Sequence, residues 1–494
     1  MNTKILFFIF LCISFMISNL RAQNYAIDYA IVDASKREQT FIPINVNNTN
    51  INVLSANNAK ISSELKQDIR NYIFFGVKTD NPGVHKITWK VNSLESGRYS
   101  VNILTLGKAL VQLQCNGSSN DKIKQPIKGW NRISLGEITL KKGINELTII
   151  ANSEGPFSVS TLEVTETKLL EEMNLRALSQ RVKVDWLSDA AYGLMFTWTN
   201  RATPINSKNV KSWNEKVNDF DLNKFFEIVD RSGAEYVLWA ITWGEQYISA
   251  PLKSLDEIIL GRTTQRDLLG EIADGLHKRN KRLIFYYHYG YDCTHSKDPD
   301  WMKASGGYKA DKSQLLKNIM NILSEIGNRY KDKLDGWWFD GAQRYYDTHF
   351  DGTIGGITTF PFEQLTKVAR EGNPQRIIAY NSWILPPLTE FQDFYAGEGY
   401  HALNVDNNGI IQDGIYRGLA GHSCFTLENG WGRYGTDKPI QSPMISTQEL
   451  IKRIQMAKQK GYPLSINLLM YEDGSVSPES VAQMEEVRKT IRGK

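Results

Sequence analysis

The stretch Leu334-Asp335-Gly336-Trp337-Trp338-Phe339-Asp340-Gly341 (LDGWWFDG) is a bulky apolar run closed by an acid and a glycine. It reads as a buried strand over Gly336–Phe339 that delivers Asp340 to its end, with Gly341 leaving room beside the carboxylate. Trp337 and Trp338 are adjacent, so on a strand they face opposite sides. Upstream, Gln314–Tyr330 places Leu315, Ile319, Ile322, Leu323 and Ile326 close to the helical period. Downstream, Phe362–Glu371 reads as a helix and Arg376–Tyr380 as the next strand. The octapeptide therefore sits inside a strand–helix repeat.

The repeat extends in both directions from Trp186 to the end of the sequence. Leu222–Ser232 and Arg266–Lys278 are amphipathic, Tyr236–Ala240 (YVLWA) and Arg282–Tyr287 (RLIFYY) are apolar strands, and Leu450–Lys460 and Pro478–Ile491 close the chain as helices. Strands alternating with helices over about 300 residues predict a parallel (β/α)8-type, TIM-like barrel over 186–494. Residues 24–166 read instead as β, with Lys86–Val91, Tyr99–Thr105, Ala109–Gln114 and Asn145–Ile150 separated by Gly and Asn turns. The expectation is an all-β, jelly-roll-like sandwich, interrupted at most by a short helix near Ile61–Asn71. Thr165–Val184 is charged and helix-prone, so 167–185 is read as a linker.

Met1–Ala22 has the charged start, apolar run and small final residue of a cleavable export signal, which predicts a secreted or periplasmic protein. Phe10 and Leu11 before Cys12 are bulky where lipid attachment needs small residues. No later stretch is apolar enough for a membrane span. After signal removal Cys115, Cys293 and Cys424 remain, an odd, widely spaced set that is no disulfide framework. Cys293 and Cys424 can pair if loops bring them together; free buried thiols are the plainer reading. A net charge of +4 is too small to imply nucleic acid or a membrane surface.

In a barrel of this kind the working residues lie at the C-terminal strand ends. Those ends carry Trp198, Trp243, Glu245, His288, Tyr289, Asp340, Asn381, Glu398, Glu428 and Trp431. Carboxylates, amides and aromatics with few aliphatics suit a carbohydrate, because rings stack on sugar faces and polar groups bond hydroxyls. Asp340 is the candidate nucleophile of a retaining glycosidase. Glu398, flanked by glycines, is the first candidate for acid/base, and Glu428 the alternative. Trp198, Trp243, Glu245, His288, Tyr289, Asn381 and Trp431 are the candidate substrate contacts. His295, His401 and His422 are assigned to loops. No zinc spacing occurs, and neither metal nor cofactor is expected.

Five segments then resemble one family in the correct order: WWFDG at Trp337–Gly341, RDLLGEIADGLHKRNKRLIFYYHYGYD at Arg266–Asp292, NSW at Asn381–Trp383, NGWGRY at Asn429–Tyr434, and LSINLLMYEDGSVSPESV at Leu464–Val481. They are similar to glycoside hydrolase family 29, the retaining α-L-fucosidases, and the fragment SGRYSVNILTLG at Ser96–Gly107 looks like jelly-roll carbohydrate-binding modules. The resemblance implies a nucleophile at Asp340 and an exo-glycosidase acting on a terminal α-L-fucose or related sugar. The departures are specific. Where the family shows F-I-H-W and K-H-H-[DE]-G, this chain has Phe196-Thr197-Trp198 and Thr242-Trp243-Gly244-Glu245, so three sugar-binding histidines are absent. Where many members carry W-E, it has Gly421-His422. A different sugar, of galactose or rhamnose type, and a non-catalytic carbohydrate-binding protein are the alternative expectations. Sequence alone leaves the oligomeric state open.

Overall fold

The computed structural model describes residues 43–56, 59–68, 76–121, 123–124, 129–205, 211–289, 298–307, 309, 313–341, 345–347, 357–383, 385–399, 411, 416–434 and 438–493. Met1–Ala22, read above as an export signal, and Cys12, Cys293, His295 and His401 lie outside the described residues. Among the described residues no helix is long and apolar enough to cross a membrane. The chain divides into two compact units, Met1–Met173 with Tyr345–Thr359, and Asn174–Arg344 with Phe360–Lys494. The division falls inside a helix, Thr167–Gln180, where the sequence predicts a linker.

The first unit is built mainly on two sheets that contribute to one apolar core. One is built on Gly83–Ser93, Gly143–Ser153 and Ala109–Cys115, and the other on Trp130–Leu140, Gly97–Leu106 and Phe157–Glu166. Alternation decides the layers: along Gly83–Ser93, Ile87, Trp89 and Val91 point into the core while Val84, Lys86 and Lys90 face outward. The short helix expected near Ile61–Asn71 is replaced, in its described part, by strands Lys60–Ile61 and Lys66–Asp68. Pairing with Gly83–Ser93 and Gly76–Thr79 satisfies their backbone groups and overrides local propensity.

The second unit is an eight-stranded parallel sheet in strict chain order. Its strands are β1 (Tyr192–Phe196), β2 (Tyr236–Ala240), β3 (Arg282–His288), β4 (Gly336–Asp340), β5 (Ile377–Tyr380), β6 (Phe394–Glu398), β7 (Ala420–Thr426) and β8 (Leu464–Asn467). β8 pairs back onto β1, so the sheet returns to its start. Between β5 and β6 there is no ladder; backbone bonds Asp393 N–H to Ile378 O (2.8 Å) and Ser382 N–H to Ala396 O (3.3 Å) close the gap. The Asp393 carboxylate takes the Ile378 N–H at 2.7 Å and is itself held by Arg370. The fold is thus a (β/α)8-type barrel, although among the described residues no helix follows β5 or β6.

Parity sorts the barrel side chains. Met195, Leu238, Ile284, Tyr286, Trp338, Ile377, Ala379, Phe394, Ala396 and Cys424 fill the interior. Trp337 faces the helices, donating its indole N–H to Ala369 O at 3.0 Å. The two acids of the octapeptide separate in the same way. Asp335, at the strand's start, accepts from Arg282 and from the Leu283 N–H and locks the register of β3 and β4. Asp340, at its end, is left for the site.

Candidate active site

Asp340 and Glu398 end strands β4 and β6, both with inward parity, and the Asn381 amide lies between them. Its Nδ2 donates to Asp340 Oδ1 at 3.0 Å and to Glu398 Oε1 at 2.7 Å. Those two bonds cap the separation of the accepting oxygens at 5.7 Å. The N–H bonds of a planar amide diverge by about 120°, which sets the oxygens ~5 Å apart. Each acid is followed by a glycine in the left-handed region, Gly341 (φ 74°) and Gly399 (φ 72°), where a Cβ is disfavoured. The chain can therefore turn sharply away and leave each carboxyl at the strand tip. The Gly341 N–H also donates to Asp340 Oδ1 at 2.8 Å.

Electrostatics separate the pair. Burial pushes the Glu398 carboxyl up, the negative charge of Asp340 adds to this, and the Asn381 donor offsets part of it, leaving Glu398 at about 7. Tyr286 donates to Asp340 Oδ2 at 2.5 Å. Its ring stacks between Trp338 (5.2 Å) and Trp243 (5.3 Å), and Trp431 lies 6.3 Å from Trp243. The Trp431 carbonyl accepts from Asn467 Nδ2 at 2.9 Å, which holds that loop over the barrel. Gly244, at φ 72°, makes the tight turn that pairs Trp243 with Glu245. Glu245 accepts from Asn200 at 2.5 Å, and Arg201 lies 3.9 Å away with its guanidinium over the Tyr434 ring.

The structure thus brings Asp340, Glu398, Asn381, Trp243 and Trp431 into one aromatic-walled cluster, with Glu245 on the same turn as Trp243. His288 pairs in register with Asp340 and shares its inward parity. Its main chain is fixed by Thr242 and Gln246.

Four expectations are corrected. Trp198 keeps the outward parity of Phe196 and is buried against Trp213, Phe220 and Trp239, its indole donating to the carbonyls of Tyr471 and Glu472. Tyr289 keeps the outward parity of Tyr287 and stacks on Phe339 at 5.5 Å, with no exposure to solvent. Glu428 is fully buried; its oxygens accept from the Leu469 N–H (3.0 Å) and the Ser480 hydroxyl (2.5 Å), and burial pushes it to about 6. It accepts from Ser480 on the closing helix Pro478–Arg492. His422, read as a loop residue, lies on β7 in the interior, bonded to Ser465 and pushed by burial down to about 3. Cys424 is a free buried thiol beside it on the same strand, not a partner in a disulfide.

The residue that sequence reading missed is Tyr286. The signal was available: in RLIFYYH, Tyr286 shares parity with His288, and a phenol pointing into a barrel beneath a strand-end acid must find an acceptor. Among the described residues no group of three or more His, Cys, Asp or Glu is arranged to hold a metal ion.

A (β/α)8 barrel with two amide-linked carboxyls at its strand ends, walled by tryptophans, has the layout of a glycoside hydrolase. Residues 155–492 match the family Alpha-L-fucosidase, and the chain belongs to that family; it is a glycoside hydrolase. Among solved structures the chain is similar to an α-L-fucosidase of glycoside hydrolase family 29 from Bacteroides thetaiotaomicron (18% identity, 64% of this chain and 73% of that one, TM-score 0.43). It is also similar to α-L-fucosidase isoenzyme 1 from Paenibacillus thiaminolyticus (17% identity, 65% and 76%, TM-score 0.46). A third is an α-L-fucosidase from Lactobacillus casei in complex with α-L-fucose (15% identity, 63% and 98%, TM-score 0.42). No match is found among curated proteins.

Proposed function

We propose that this chain is an exported, retaining exo-glycosidase that removes a terminal α-L-fucose or related sugar from a polysaccharide or glycan. The observation that carries this reading is the pair Asp340 and Glu398 linked through one amide. A spacing near 5–5.5 Å suits a nucleophile and acid/base acting from opposite sides of one bond, whereas inversion needs about 6.5–9.5 Å to admit water. Asp340 attacks the anomeric carbon while Glu398 gives its proton to the departing glycosidic oxygen. Asp340 becomes the sugar ester and Glu398 the carboxylate. Water then attacks the same carbon and yields a proton to Glu398, and the ester bond breaks to restore Asp340. The stacked Trp243, with Trp431 beside it, offers apolar faces to the ring.

A second reading keeps this mechanism and changes the sugar. Where the family carries its three histidines, this chain has Phe196-Thr197-Trp198 and the turn Thr242-Trp243-Gly244-Glu245. Glu245, Asn200 and Arg201 form a polar group at that edge and favour recognition of sugar hydroxyls by a carboxylate and a guanidinium. Release of nitrophenol from a panel of nitrophenyl glycosides, led by the α-L-fucoside, separates the readings. Loss of turnover in Asp340→Asn supports the nucleophile. Turnover of another sugar alone selects the second reading. Glycan binding that Asp340→Asn leaves unchanged, with no hydrolysis, would mean a carbohydrate-binding protein.

A further inference from the structure

Asn381 is 6% exposed, and both ends of its amide are committed. Its Oδ1 accepts the Trp383 N–H at 2.9 Å, and Trp383 adopts a left-handed backbone (φ 52°) that favours glycine over a bulky side chain. This bond fixes which end of the amide is which. The NH2 group must face the carboxyls, one hydrogen toward Asp340 Oδ1 and the other toward Glu398 Oε1. The sequence assigns Asn381 to the substrate, yet both of its donors are already used by the two acids.

We propose that Asn381 is a positioning residue whose neutral amide supports whichever of the two carboxyls is ionised and confines the transferable proton to Glu398 Oε2. The inference rests on the assignment of nucleophile and acid/base above. Before attack the negative charge is on Asp340; once the ester forms, the charge is on Glu398. A single NH2 donating to both offers a charge-assisted hydrogen bond in each state. Because Oε1 already accepts an N–H, the proton that Glu398 delivers belongs on Oε2. A cation in the same place would hold both carboxyls ionised and remove that proton. An amide supports one charge without trapping two.

The test compares wild type with Asn381→Leu, which matches the side chain in size and lacks donors, and with Asn381→Ala as a second donor-free variant of smaller bulk. Titration of Glu398 is followed directly by carboxyl carbon-13 NMR, with Glu398→Gln assigning its signal, so the readout does not need turnover. Loss of the donor leaves burial and Asp340 unopposed, so Glu398 should titrate at higher pH in both variants. With 4-nitrophenyl α-L-fucoside, or whichever panel glycoside is turned over, kcat/KM should fall on the order of 100-fold, as for one lost donor to a developing charge. Its alkaline limb should move upward. An unmoved Glu398 titration with a rise in KM alone would overturn the proposal and return Asn381 to the substrate. If Asp340→Asn keeps full turnover, the parent assignment fails instead, which is a separate result.

Discussion

Tyr286 and Asp340 are joined across neighbouring strands by a 2.5 Å hydrogen bond in which the phenol donates to Oδ2. Register explains it. Tyr286 is level with Trp338, one inward position below Asp340, so its long side chain reaches up to the acid. Burial, and then the charge of Asp340, push the phenol well above its ordinary range, so it remains a donor at every working pH. Tyr286→Phe should keep the stack between Trp243 and Trp338 and lose only this bond. Measured kcat/KM should fall by roughly 10-fold or more, and the thermal midpoint should drop as well, since a hydrogen bond to a charged group contributes about 1.5–3 kcal/mol to stability.

In the proposed mechanism glycosyl transfer needs Glu398 protonated and Asp340 ionised. With Glu398 at about 7, activity should decline as pH rises through that value, and a Glu398→Gln variant should lose the limb together with most activity. A kcat/KM profile between pH 4 and 9 checks this. A limb far from neutrality would assign the acid to another group.

The same shift predicts a stability effect. Glu398 in the folded protein holds its proton more tightly than in the unfolded chain, where 4.5 is its ordinary value. The resulting stabilisation is fully present below pH 4.5 and is lost as pH rises through about 7. Glu398→Gln should therefore be more stable than wild type at pH 8, by up to about 3 kcal/mol, and nearly equal at pH 4. Denaturant melts at both pH values measure it.

Trp198 and Trp243 should behave as opposites. Trp198→Ala opens a cavity among Trp213, Phe220 and Trp239 and should destabilise the protein by about 3–5 kcal/mol. Trp243→Ala should raise KM several-fold with a smaller stability loss, because its ring is only partly buried. Equal effects on KM would show that Trp198 reaches substrate after all.

Glu428→Gln should leave the alkaline limb of the rate profile in place and kcat within about 3-fold of wild type, because its oxygens serve Leu469 and Ser480. Glu428→Ala should instead lower the melting temperature, by leaving the Leu469 N–H and Ser480 without their buried acceptor. Loss of turnover in the glutamine variant with stability intact would restore Glu428 as acid/base.

What the sequence determined by itself is what depends on local pattern. The alternation of apolar strands and amphipathic helices from Trp186 onward specified a parallel barrel, because each strand buried on both sides must be almost wholly apolar. LDGWWFDG specified its fourth strand and put Asp340 at the end where such barrels work. The order of WWFDG, NSW and NGWGRY carried the family. Tertiary structure decided which strand-end residues face the sugar side. Trp198 and Tyr289 stand at strand ends like Asp340, yet outward parity sends them into the helix layer. Glu398 and Glu428 are both glutamates after apolar strands, and only the turn at Gly399 and the capture of Glu428 by Ser480 tell them apart. The amide between Asp340 and Glu398 was equally invisible, since it joins residues 41 and 17 positions apart from Asn381 along the chain. Periodicity is a property of neighbours along the chain, whereas a charge relay depends on distances that exist only once the barrel has closed.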